Sequence, residues 1–109
     1  MKLVMAIIRD EDAFHLMDVL NERGYWVTKL ATTGGFLRAG NTTLISGVED
    51  GKVEEIVSII EKKCKGRKQI TSINSSHMSA AESYIPYPVE ITVGGATIFV
   101  LNVEEYKKV

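Results

Sequence analysis

The chain has 109 residues, close to half of them hydrophobic, and a formal net charge of −1 with acids and bases interspersed. That length fits one domain spanning residues 1–109, and the balanced charge argues against duplex DNA or an anionic membrane as a partner. A single cysteine, Cys64, cannot close an internal disulfide, so a reducing compartment, the cytoplasm, is expected.

The segment Leu3 to Ile8 is an unbroken apolar run, too short to span a membrane and without a signal-peptide cleavage pattern. Such a run predicts a central strand covered on its faces. Asp10 then caps a helix whose first turn carries Glu11 and Asp12. Its apolar positions Ala13, Leu16, Met17 and Leu20 recur at helical spacing until Gly24 supplies the stop. A strand from Tyr25 to Thr32, a loop at Thr33-Gly34-Gly35 and a second strand from Asn41 to Val48 follow from the β-branched and aromatic content.

The stripe Val53, Ile56, Val57, Ile59, Ile60 predicts a helix over Lys52 to Lys63, closed by Gly66. An extended stretch, Gln69 to Ile73, leads into a long polar loop that ends on the rigid Ile85-Pro86-Tyr87-Pro88. The alternating Val89 to Val93, the pair Gly94-Gly95 and the run Ala96 to Leu101 read as a β-hairpin with a two-residue turn at positive φ. Strand, helix, strand, strand, helix, strand is the order of the ferredoxin-like, split βαβ arrangement, an α+β fold with two helices on one face of an antiparallel sheet, here extended by a final strand. The bare face then needs a cover, and another copy of the chain is the simplest one.

Residues with chemical potential concentrate between Thr28 and Thr43. Gly34, Gly35 and Gly40 allow backbone N–H groups to approach an anion, Lys29 and Arg38 can neutralise phosphate, Phe36 offers an apolar face to a base, and Asn41 has the paired donor and acceptor that read an adenine edge. On composition alone an ordinary hairpin loop with turn glycines and solvated cations explains the stretch equally well. Elsewhere the bland readings prevail. Asp10, Glu11 and Asp12 suit a helix start better than acid–base catalysis or a magnesium site, and His15 and His77 lack partners at zinc-ligand spacing. Cys64 stands among lysines without a nearby histidine and reads as a packed helix-end residue. Tyr25 and Trp26 alternate in direction; Trp26 faces either the cleft or a subunit interface.

The stretch Lys29-Leu30-Ala31-Thr32-Thr33-Gly34-Gly35-Phe36-Leu37-Arg38-Ala39-Gly40-Asn41-Thr42-Thr43 resembles, nearly letter for letter, a segment of the cyclic di-AMP receptor proteins of the PII-like superfamily. So does Ser83-Tyr84-Ile85-Pro86-Tyr87-Pro88-Val89-Glu90, with Val93-Gly94-Gly95-Ala96-Thr97 and Phe99-Val100-Leu101 behind it. The resemblance spans the chain. It implies a non-catalytic receptor that works as a homotrimer, binds cyclic di-AMP in clefts between subunits and signals through its loops to an unknown downstream protein, with no further cofactor. It also implies that Thr28, Gly35, Phe36, Leu37, Asn41, Gly47 and Phe99 surround the ligand.

At position 26, where relatives commonly carry arginine, this chain has Trp26, which removes a cation and adds a stacking surface. Lys108, near the C-terminus, is a candidate replacement cation. Where relatives carry a Met-Gly-Gly-like element in the long loop, this chain reads His77-Met78-Ser79-Ala80-Ala81. A PII-like regulator of ATP or ADP is therefore the second reading, and an enzyme or metal-handling trimer of the same broad fold the third.

Overall fold

A computed structural model describes residues 1–30, 40–72 and 88–109. Strand β1 (Lys2–Arg9) leads into helix α1 (Asp10–Glu22), then strands β2 (Thr28–Leu30) and β3 (Asn41–Val48). After a 3₁₀ turn (Asp50–Lys52) come helix α2 (Val53–Cys64) and strands β4 (Arg67–Ser72), β5 (Pro88–Val93) and β6 (Ala96–Asn102). The fold is α+β with two helices and antiparallel sheets. Residues 31–39, which include the end of the predicted second strand and the predicted loop at Thr33-Gly34-Gly35, and residues 73–87, most of the long loop, lie outside the described residues. Among the described residues no helix is long and apolar enough to cross a membrane.

The main sheet has the order β2-β3-β1-β6, all pairs antiparallel. Alternation along β1 sends Val4, Ala6 and Ile8 against the helices, where each is at most 2% exposed. Leu16 and Leu20 of α1, Ile56 and Ile60 of α2, and Leu44 and Val48 of β3 complete that core. The helical stripes are thus the ones the sequence predicts. Gly24 ends α1 at φ +87, and the Tyr25 N–H returns to the Leu20 carbonyl at 2.9 Å. Cys64 is wholly buried at the end of α2, and burial pushes its thiol up to about 11, with the Asp12 charge adding. A thiol so placed is a packed side chain with little thiolate at neutral pH.

Four expectations change. The strand after α2 does not join the main sheet: β4 pairs with β5, from Arg67 opposite Val93 to Ser72 opposite Pro88, in a separate two-stranded ribbon. Consequently Gly94-Gly95 is not a hairpin turn. Both glycines have positive φ as predicted, but they form a corner through which the chain leaves the ribbon, and β6 then pairs with β1, occupying the fourth place of the split βαβ order. Asp10 is not the cap of α1; extended Arg9 holds that position without a side-chain bond, and the Asp10 carboxylate instead accepts from Thr42 Oγ1. Finally, α2 ends at Cys64 with Lys65 extended, and Gly66 is not among the positive-φ glycines. The common reason is that periodicity and turn chemistry are local, whereas strand partners are chosen across the chain.

The corner is tightly built. The Gly95 N–H donates to the Cys64 carbonyl, and Arg67 donates to the Lys65 carbonyl at 3.3 Å while its Nη2 lies 3.3 Å from the Asp12 carboxylate. A Cβ on Gly94 would come within 2.6 Å of Arg67 Nη1 and 3.0 Å of the Lys65 oxygen, at φ +80. Gly94→Ala is therefore expected to destabilise the protein by more than about 1 kcal/mol in denaturant unfolding, combining strained φ with displacement of Arg67.

Candidate functional site

Opposite the helices the main sheet has an open face. Directly paired residues share a face, so the register places Thr28, Ile45, Met5 and Phe99 in one row across it and Leu30, Thr43, Ile7 and Thr97 in the next. Gly47, Leu3 and Leu101 make a third row, and Asn41 shares the face at the far end of β3. Leu30, Phe99 and Leu101 remain 39 to 49% exposed, which is unusual for large apolar side chains gathered on one sheet face.

At the edge of this face lies a cleft of about 330 Å³ lined by Met1, Leu3, Trp26, Thr28, Ile45, Ser46, Gly47, Tyr106 and Lys108. Four residues singled out from the sequence, Trp26, Thr28, Gly47 and Lys108, thus meet in one hollow. Trp26 is 81% exposed, and Lys108 Nζ stands 5.0 Å from the centre of its ring in a cation–π contact. The segment after β6 makes this contact by returning past the start of β1, where the Val103 N–H donates to the Met1 carbonyl at 3.2 Å. The cleft therefore offers aromatic surface, hydroxyls, a glycine that permits close approach and the Lys108 ammonium group, a set suited to a base and a phosphate.

Trp26 is aimed outward by its neighbours. Tyr25 points the opposite way into the core, as alternation predicts, and its hydroxyl donates to Glu55 Oε2 at 2.7 Å. Ser46 Oγ donates to the Trp26 carbonyl at 2.7 Å. The regular strand begins only at Thr28, three residues later than predicted, so Tyr25 and Trp26 are held by the Tyr25–Leu20 backbone bond and by side chains rather than by a ladder. Burial, and then the bond to Glu55, pushes Tyr25 up to about 12. The same bond, aided by Lys52 and Arg23, holds the Glu55 carboxyl below its ordinary 4.5.

Not every candidate converges on the cleft. Lys29 pairs with Leu44 and so lies on the helix-bearing side of the sheet, away from Thr28. Phe99 shares the open face with Thr28 but is separated from it by β3 and β1. Asn41 sits six residues along β3 from Gly47, about 20 Å at ordinary strand rise. It is fixed from both sides, because the Asp10 N–H donates to the Gly40 carbonyl at 2.8 Å and Thr42 bonds the Asp10 carboxylate. Gly35, Phe36, Leu37 and Arg38 lie outside the described residues. The sequence reading missed Met1, Leu3, Ile45, Ser46 and Tyr106 as cleft residues; a tyrosine in an otherwise polar terminal segment was the one available signal. A larger hollow of about 610 Å³, where α2 meets the start of β6, contains none of the candidates.

Two measurements check these anchors. Thr42→Val is expected to lower the unfolding free energy by about 1 kcal/mol, with Thr42→Ser retaining most of it. Tyr25→Phe is expected to lower the thermal midpoint at neutral pH. A depressed carboxyl contributes stability above its ordinary value of 4.5 and loses it as pH falls through the folded-state value, so the gap from the parent should narrow in acid.

The comparisons bear on the whole chain. It is similar to a crystal structure of a functionally unknown protein from Pediococcus pentosaceus, with 39% sequence identity and a TM-score of 0.75 over 99% of this chain and 96% of that one. The family model described as cyclic-di-AMP receptor matches residues 1–109. A match over every residue, on a fold that gathers aromatic, hydroxyl and cationic groups at one sheet edge, shows that the chain belongs to the cyclic-di-AMP receptor family.

Proposed function

We propose that this single PII-like domain senses cyclic di-AMP as a cytoplasmic homotrimer, with each ligand held between neighbouring copies and the loops changing conformation when it binds. Membership of the receptor family makes the protein a cyclic di-AMP-binding signalling protein that binds its nucleotide without turning it over. The observation that carries the finer reading is the convergence of Trp26, Thr28, Gly47 and Lys108 on one cleft at the rim of an uncovered apolar sheet face.

Distance supports the assignment to an interface. Asn41 and Gly47 lie on one face of one strand, but their separation of about 20 Å is too long for adjacent contacts to a single nucleotide. A neighbouring copy that covers the open face would bring its own Asn41 and its Phe36-Leu37 loop alongside the first copy's Thr28 and Gly47. The exposed Leu30, Phe99 and Leu101 supply the apolar surface for that association. Base and phosphate then have separate partners: aromatic rings for the adenine, Lys108 and Arg38 for the phosphodiesters, and the Asn41 amide for the base edge. Signalling follows if ligand affinity differs between loop arrangements, which is the thermodynamic condition for a receptor.

Trp26 is the only tryptophan in the chain and lines the cleft, so its fluorescence reports occupancy directly. Titration with cyclic di-AMP is expected to change that emission saturably, at about one ligand per subunit, while ATP, ADP and cyclic di-GMP at the same concentrations do not. Asn41→Ala and Phe36→Ala are each expected to weaken binding by roughly tenfold or more, the cost of one lost polar or stacking contact, with the mass by light scattering still that of a trimer. Displacement of cyclic di-AMP by ATP or ADP would transfer the site to those nucleotides, and a monomer in solution would remove the inter-subunit cleft.

A further inference from the structure

We propose that Arg9 is a phosphate-contacting residue of the nucleotide site, working from beside Asn41; this rests on the reading of Asn41 as a ligand contact. Nothing in the sequence pattern marks Arg9, which follows an apolar run and precedes a helix. The register does mark it. Arg9 is the direct cross-strand partner of Asn41, so their Cβ atoms lie about 4.5–5.5 Å apart on one face.

That face is the open one. Of the three cationic residues in the four-stranded sheet, Lys2 shares the helix-bearing side with Val48 and bonds Asn102, and Lys29 shares it with Leu44. Arg9 alone projects on the side where the cleft, Thr28 and Phe99 lie. Its side chain is about half exposed, and its one ion-pair partner among the described residues, Glu11, reaches only Nε at 4.0 Å. The two terminal nitrogens thus keep their fork for an acceptor, and a phosphodiester's pair of non-bridging oxygens matches that fork.

The position is also held firmly. Arg9 closes the eight-residue ladder between β1 and β3, and the next residue, Asp10, ties down both sides of Asn41 through Gly40 and Thr42. Arg9 and Asn41 therefore move as a unit, an arginine fork beside an amide, at the point where the β2–β3 connection rejoins the sheet. In a chain whose position 26 is tryptophan, this places strand-borne positive charge at the opposite end of β3 from the Trp26 cleft. A neighbouring copy that delivers Asn41 to a cleft delivers Arg9 with it.

The test uses the full chain and cyclic di-AMP, with affinity read by calorimetry at low and high salt for the parent, Arg9→Gln, Arg9→Lys, Asn41→Ala and the Arg9→Gln/Asn41→Ala pair. Arg9→Gln is expected to weaken binding about tenfold at low salt and to flatten the salt dependence, since one screened charge pair is gone. Arg9→Lys should recover the salt dependence but only part of the affinity, and the double variant should lose less than the product of the single losses. If Asn41→Ala weakens binding while Arg9→Gln binds as tightly as the parent with the same salt dependence, the Arg9 proposal falls and the ligand site stands. If Asn41→Ala also binds like the parent, the reading of the site itself falls. Thermal midpoints within a few degrees of the parent exclude misfolding as the cause of any loss.

Discussion

The eight-residue register between β1 and β3, from Lys2 opposite Val48 to Arg9 opposite Asn41, is the constraint on which the rest of the molecule depends. Because side chains alternate, this pairing decides at once which residues become core and which reach the open face. It buries Val4, Ala6, Ile8, Leu44 and Val48 beneath two helices and puts Asn41, Ile45 and Gly47 on the other side. A slip of one residue would send Asn41 and Gly47 into the core and the apolar set to solvent. The hydrophobic effect thus fixes the composition of the open face as a by-product of packing the core, and the bonds of Asp10 to Gly40 and Thr42 secure the end of the ladder where the β2–β3 connection arrives.

Much of this arrangement was legible in the sequence. Helical stripes such as Ile56 and Ile60, or Leu16 and Leu20, are local patterns whose only satisfactory burial is against a sheet, and they fell where the spacing put them. Partner choice was not legible. Gly94 and Gly95 have the positive φ that a hairpin needs, yet the same conformation serves a corner, and the choice depended on whether Val89 to Val93 found a better partner in β6 or in Arg67 to Ser72. Asp10 was misassigned for a related reason: a carboxylate at a helix start can bond the helix or a neighbouring strand, and the nearby Thr42 hydroxyl is visible only in three dimensions.

The site divides along the same line. Thr28 and Gly47 came from motif resemblance and Trp26 from its place two residues before Thr28, and they meet because β2 and the end of β3 are neighbours, which sequence order suggests. Lys108 meets them because the C-terminal segment doubles back, which no periodicity encodes. Lys29 lies on the other side of the sheet because one residue of alternation separates it from Thr28, a distinction that composition ignores. Arg9 is not marked by the sequence because its pairing with Asn41 is a property of the register rather than of its own surroundings in the chain.

Residues distant in sequence, Met1 and Lys108, meet at one place. Met1 and Lys108 are both walls of the cleft, the N-terminal amine is anchored to Asp50 at 3.0 Å, and the Met1 carbonyl holds the returning C-terminal segment through Val103. The cleft wall is thus shared between the residue that precedes β1 and the segment that follows β6. Because that segment is held through the Val103 bond and the Lys108–Trp26 contact rather than by the core, displacing it would reshape the cleft while leaving the sheet intact.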